Sequence, residues 1–338
     1  MLVLQTFKGI WMAQSGEADQ PSLIGSAGDS LREAFGRALV RLGEERTDFV
    51  VFDADVAGGT GTHHFRKAHP DRFYQFGIAE QNMMAAAGGF AATGVPVFVT
   101  TFAVFMLRAL EQVRLSVAYS KRNVKIVASH PGLDVGPDGA SAQCLEDLAV
   151  FRAMPGMVVV SPADSLEAEL ATAAILDYEG PVYMRTGRSP CPRVLPPDYR
   201  FKLGRGVVLR DGSDVTVIAC GVEVARALAA AEQLAATQIS VRVVNLSTLK
   251  PLDEELVVRC ARETGAIVTA EDHNVLGGLG GAVSECLARF RPCPVEFVGV
   301  ADRFGESGEP EELAEKFGLT APHIAAAALR VVERKRKG

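Results

Sequence analysis

Residues 73–105 read FYQFGIAEQNMMAAAGGFAATGVPVFVTTFAVF, and a single acid, Glu80, stands in this run of apolar and small side chains. Phe73, Tyr74 and Phe76 mark an aromatic strand edge. Residues 83–94 read as a helix too rich in Ala and Gly for a surface position, and residues 96–101 as a buried strand. A carboxyl at such a strand-to-helix junction can hold or share a proton in a reaction. The plainer alternative is a first-turn acid favoured by the helix dipole.

Strand–helix alternation continues on both sides. Asp29 or Ser30 caps a helix over residues 31–46, and a strand at 49–52 runs into Asp53-Ala54-Asp55. Gly58-Gly59-Thr60-Gly61-Thr62 follows, a loop at a strand's C-terminal end, where α/β sheets place ligands. A helix at 107–119, a strand at 124–129, a loop at 130–142 and a helix at 145–154 come next. A strand at 157–161, a helix at 165–178 capped by Ser165 and a strand at 182–185 complete the first unit. The expected fold class is α/β: a doubly wound parallel sheet with helices on both faces, then a second, smaller α/β unit. The expected organisation is an N-terminal arm at 1–24, a first domain at 25–190, a linker at 191–204 and a second domain at 205–338. Proline-rich residues 188–202 read as the extended connection.

The 338 residues allow two ordinary domains, and 48% hydrophobic against 22% charged residues suits large buried sheets. The net charge of −6 and the lack of a basic stripe before the C-terminal tail argue against nucleic-acid binding. Six scattered cysteines form no CxxC pair and read as buried hydrophobes of a reducing compartment. No signal peptide and no run of about 18 apolar residues stands out, so a cytoplasmic location is expected.

Other stretches admit two readings. Phe102 and Phe105 share a face at helical spacing and serve either a ring-stacking pocket or plain core. Asp138, in the Gly- and Pro-rich loop HPGLDVGPDGASAQ, either accepts bonds from substrate hydroxyls or closes a turn. Adjacent His63 and His64 are expected to point apart, which argues against a metal pair. Gly277-Gly278-Leu279-Gly280-Gly281 lacks the Lys-Ser/Thr of a phosphate loop and reads as close packing.

GIAEQNM, then AAGGFAATG and TTFAVFMLRALEQVR, resembles the pyrimidine-binding domain of transketolases, and more closely the separate C-terminal subunit of split transketolases. The resemblance runs from about Asp29 to the C-terminal region. It implies a thiamine diphosphate enzyme that moves a two-carbon ketol unit from a ketose to an aldose. Glu80 matches the glutamate that bonds N1′ of the aminopyrimidine and favours its imino tautomer. The implied catalytic residues are Glu80 and His130. Cofactor contacts are implied for Glu80, Phe102, Phe105, Arg108 and Asp55, with Arg108 standing where many members carry a third aromatic. Substrate contacts are implied for Arg32, His130, Asp138 and Arg185, the arginines holding a terminal phosphate.

Two positions depart from that pattern. Ala142 stands where the family has a second histidine, and Gly59 where it often has a phosphate-contacting serine. Together they suggest a substrate other than a standard pentose phosphate. The GDG motif with its downstream Asn, which anchors the diphosphate through Mg²⁺, is missing, so no metal ligand is assigned here. A partner similar to the N-terminal half of transketolase is expected to hold Mg²⁺ and the diphosphate, in an α2β2 assembly. The rivals are a deoxyxylulose-phosphate-synthase-like protein, a 2-oxo acid dehydrogenase β subunit and a non-catalytic paralogue.

Overall fold

The computed structural model describes residues 27–337. The expected arm at 1–24, with Trp11, lies outside them. In chain order the elements are β1 (Ala27–Ser30), α1 (Leu31–Glu45), β2 (Val50–Asp53), a helical turn at Ala57–Thr60, α2 (His63–Ala68), β3 (Phe73–Gln75), α3 (Glu80–Ala91) and β4 (Val97–Phe102). A broken helical segment follows: an α-turn at Ala103–Met106, a 3-10 turn at Leu107–Ala109, three α residues at Leu110–Gln112 and a π-helix at Val113–Tyr119. Then come β5 (Val124–Ser129), a 3-10 segment at Leu133–Asp138, α4 (Asp147–Ala153), β6 (Val158–Val160), α5 (Ser165–Asp177), β7 (Val182–Thr186) and β8 (Pro190–Pro192). The second unit contains β9 (Val207–Arg210), β10 (Val215–Ala219), α6 (Glu223–Ala235), β11 (Val241–Asn245), β12 (Thr248–Lys250), α7 (Glu254–Thr264), β13 (Ile267–Asn274), α8 (Leu279–Phe290), β14 (Val295–Val300), α9 (Pro310–Phe317) and α10 (Ala321–Lys337).

The larger sheet has seven strands in the order β12-β6-β7-β5-β4-β2-β3. All its pairings are parallel except β12 with β6. Strands β4 and β5 are buried along nearly their whole length, as a sheet covered on both faces requires. One face packs on a cluster of Phe35 from α1, Phe49 just before β2, Phe65 from α2 and Phe98 from β4. The other packs on the small-residue helix α3, through Met83, Met84 and Ala87. The smaller sheet runs β14-β13-β10-β11-β9, parallel except for β9.

Several expectations change in detail. The helix expected at 83–94 begins at Glu80, which places the acid in the first turn. The helix expected at 107–119 is the broken segment described above. The cap of α5 is Asp164, whose carboxylate accepts from Glu167 N–H at 2.9 Å, and not Ser165. The proline-rich connection is not merely extended, since β8 pairs antiparallel with β1.

The two units are tied by buried polar contacts. Strand β12, from the second unit, adds to the first unit's sheet. The fully buried Glu167 of α5 accepts from Asn245 Nδ2, Ser247 Oγ and Tyr199 Oη. Burial raises its affinity for a proton above the usual carboxylate range, although these donors oppose the shift. Glu271 caps α8 by accepting from Leu279 and Gly280 N–H. That leaves the glycine-rich turn before α8 occupied by a protein carboxylate.

Burial also pushes the Glu223 carboxyl up to about 7, against the pull of Arg226, and its Oε2 has no hydrogen-bond partner. A carboxyl whose folded value exceeds its unfolded value contributes stability at low pH. That contribution fades as pH rises from about 4.5 through about 7. Glu223→Gln removes the titration. In urea unfolding it should therefore gain on wild type between pH 5 and pH 8, by on the order of 1–3 kcal/mol. An unchanged difference across that window would show that Arg226 fully compensates the ionised form.

Candidate functional site

The parallel strands β2, β4, β5 and β7 end side by side, with Phe102 opposite Ser129 and Ser129 opposite Thr186 in register. The loops leaving these ends carry most of the residues singled out in the sequence, as expected for an open parallel sheet.

The turn after β2 is organised by buried Asp53. Its Oδ2 accepts from the hydroxyls of Thr60, Thr62 and Thr100, and its Oδ1 from Val56 N–H and Gln75 Nε2. Asp55 sits above it with φ 64°, its N–H given to Gln75 Oε1 at 2.7 Å, and is exposed at the lip of the cleft. Gly59 has a steric reason to be glycine. A Cβ there would lie 2.5 Å from the Phe102 ring, so a serine at this position requires Phe102 to move.

The Gly59 carbonyl accepts from Arg32 Nη1 at 3.3 Å and from Ser129 Oγ at 2.8 Å. Arg32 Nε is buried without a partner, a donor left free in the cleft wall. His130, with φ 59°, begins the loop after β5. Its ring stacks on Phe102 at 3.8 Å between centroids, and Phe102 stacks on Phe105 at 5.4 Å. Burial, then the charges of Arg32 and Arg188, push the His130 imidazole down to about 3, so the ring is neutral at working pH. Its tautomer follows from the hydrogen-bond chain. Ser129 gives its only proton to Gly59 O, so Nδ1–H of His130 donates to Ser129 Oγ and Nε2 is left as an acceptor.

Glu80 lies at the start of α3 with its side chain 4% exposed. Among the described residues its carboxylate accepts no hydrogen bond. Its nearest cation is Arg108, with Nε at 3.5 Å and a largely exposed side chain. Phe102 ends β4, and the broken helix after it carries Phe105 and brings Arg108 to Glu80 at the start of α3. A buried carboxylate with a free acceptor can take a hydrogen bond from, or share a proton with, a ligand nitrogen. A cavity of about 640 Å³ lies elsewhere, between Leu133, Asp134 and helices α6 and α9.

Arg185 is buried inside β7, not at the cleft. Its Nε donates to Asp147 Oδ2 at 2.8 Å, its Nη2 to Asp147 Oδ1 and its Nη1 to the Asp272 carbonyl at 2.9 Å. Three of its guanidinium N–H groups are thus held by the protein, so the phosphate-holding role expected for it would compete with this network. Three residues on, Arg188 lies in the loop beyond β7. It is half-buried, 3.8 Å from the exposed Asp138 carboxylate and bonded to Val135 O. Its backbone N–H and that of Ser189 are held by Asp134 Oδ2. The sequence does carry a signal for Arg188, since a loop position after a strand end is better placed for a ligand than a strand interior. Ala142 is half-buried and gives its N–H to Gly139 O, with no side-chain donor. The histidines expected to point apart do not: the His63 and His64 rings lie 3.9 Å apart.

Residues 28–193 match the family model of the transketolase pyrimidine-binding domain, and residues 204–324 that of the transketolase C-terminal domain. The chain is 44% identical over 306 residues to a 6-deoxy-6-sulfo-D-fructose transketolase subunit of a Clostridium species, covering 90% of this chain and 95% of that protein. It is 37% identical to an apulose-4-phosphate transketolase subunit of Phocaeicola vulgatus, covering 90% and 97% of the two chains. Its fold matches the solved structure of a split gene transketolase, an inactive β4 tetramer, at a TM-score of 0.86 and 50% identity. That match covers 91% of this chain and 100% of that one.

The two arginines should separate cleanly in mutagenesis. Asp147 is fully buried, and although burial alone would raise its proton affinity, Arg185 holds it below the usual carboxylate range. Arg185→Ala leaves that carboxylate unpaired and should cost about 3–5 kcal/mol in urea unfolding at pH 7. Arg188→Ala, at the cleft, should shift the same transition by less than about 1 kcal/mol. Equal losses would place both arginines in the structural network.

Proposed function

We propose a function from one premise: the chain belongs to the transketolase family and is the C-terminal subunit of a transketolase-type enzyme. Its activity is transfer of a two-carbon ketol unit from a ketose to an aldose, with thiamine diphosphate shared between this chain and a partner. When bound, the cofactor supplies the electron sink that makes cleavage beside a carbonyl feasible. The buried, unshared acceptor of Glu80 carries this proposal. It would hold the proton at the pyrimidine nitrogen, with Phe102 and Phe105 orienting the ring and Asp55 at the lip.

Neutral His130, with Nε2 as acceptor, would take the proton of a substrate hydroxyl, and Asp138 would orient another. A terminal phosphate or sulfonate would sit between Arg32, whose Nε is free, and Arg188. The Clostridium and Phocaeicola relatives are named for a sulfo-ketose and a sugar phosphate, which fits an anion at this end. Ala142 and Gly59 each remove a donor, which favours a substrate other than an ordinary pentose phosphate. The missing GDG motif supports a partner that carries Mg²⁺ and the diphosphate, in an α2β2 assembly.

The test is reconstitution with the partner chain. Glu80→Gln should lower kcat by about 10²–10⁴-fold with the assembly intact. Wild-type kcat in that variant would sink the proposal. Arg188→Ala should raise KM for an anionic ketose by roughly tenfold or more with kcat nearly kept. Calorimetry on the isolated chain should show only weak cofactor binding, and full-strength affinity there would overturn the division of labour. Normal rates with xylulose 5-phosphate and ribose 5-phosphate would reject the modified substrate.

A further inference from the structure

The ring pair His63–His64 has no part in the ketol-transfer site, and a third ligand-bearing side chain faces it. Glu33, in the first turn of α1, places Oε2 2.8 Å from His64 Nε2. Glu33, His63 and His64 each offer one ligand atom, all within 4.8 Å of one another, and all three side chains are half-buried. Among the described residues no other group of three His, Cys, Asp or Glu side chains comes so close together.

The backbone explains the convergence. Gly61, with φ 79°, lets the turn before α2 lie against α1, where a Cβ would sit 2.2 Å from the Arg32 carbonyl. That contact draws α2, which opens with the two histidines, onto the first turn of α1. His63 is also oriented from behind, because its Nδ1 is 3.3 Å from the Ala57 carbonyl. Donation of the Nδ1 proton to that carbonyl leaves the Nε2 lone pair free. A backbone carbonyl behind a ligating imidazole is the usual device for fixing its tautomer and aim.

We propose that Glu33, His63 and His64 form a binding site for a divalent transition-metal ion of the Zn²⁺ type. Two imidazoles and one carboxylate without thiolate suit Zn²⁺, Co²⁺ or Ni²⁺ better than Mg²⁺ or Ca²⁺, which prefer all-oxygen sets. Tetrahedral bonds of about 2.0–2.2 Å call for ligand atoms closer than the widest separation here, a gap that small side-chain rotations close. Three protein ligands leave a coordination position for water. The ion would cross-link α1 to the turn carrying Gly59, and so stiffen the wall that presents Arg32 and His130. It is separate from the Mg²⁺ assigned to the partner chain.

The test uses the full-length chain with any affinity tag removed and metal stripped by a chelator. Co²⁺ titration followed by its visible absorption, and Zn²⁺ competition with a chromophoric chelator, should show one equivalent per chain bound in the micromolar range. His64→Ala, His63→Ala and Glu33→Gln should each weaken binding by about 10–100-fold. The conservative Glu33→Gln, with its urea midpoint measured alongside, guards against loss of fold. Absence of saturable binding, or wild-type affinity in the three variants, would overturn the proposal.

Discussion

The ion pair of Asp147 and Arg185, sealed beneath the strand ends, is the interaction from which the cleft is built. Both groups are nearly out of water, so removing either would leave the other's charge buried without its partner. Arg185 also reaches the Asp272 carbonyl, and so joins the first unit's sheet to β13 of the second. The Asp272 carboxylate accepts from Leu133 and Asp134 N–H in the loop after β5. Asp134 in turn holds the backbone of Arg188 and Ser189. A continuous chain of buried polar contacts thus runs from the interior to the arginine at the cleft. Removing any carboxylate along it leaves donors stranded in a low-dielectric interior, where lost bonds cost more than in water.

The chemistry above that foundation depends on keeping certain groups neutral or unshared. His130 is desolvated and faces two guanidinium groups, so it serves as a hydrogen-bond acceptor and not as a cation. Ser129, through Gly59, decides which nitrogen is free. Glu80 is buried with an open acceptor, its nearest cation the largely exposed Arg108. Each is an arrangement that a folded chain sustains only if something else satisfies the polar group later, which is what a ligand held between two subunits would do.

The same buried network separates two arginines that the sequence pattern does not tell apart. Arg185 and Arg188 are three residues apart, and both lie close to the end of β7. Strand alternation and strand length decide between them: position 185 pairs with Ala128 inside the sheet, while position 188 has left it. Similarly, adjacent histidines diverge in most backbones. At the start of α2 they lie ring against ring because a glycine turn presses that helix onto α1.

The order of apolar runs and turn residues in the chain was enough to determine the α/β class, the succession of strands and the position of Glu80 at a strand-to-helix junction. Those features are local, set by periodicity and by the few residues that break it. The motif around Glu80 likewise carries its chemistry in consecutive residues. Only the tertiary structure decided that Arg185 pairs with Asp147, which His130 nitrogen is free, that β12 crosses into the first sheet and that Glu33 meets the two histidines. Each of these depends on groups far apart in sequence whose desolvation must be balanced jointly. No local pattern records that balance, because it exists only once the chain has closed on itself.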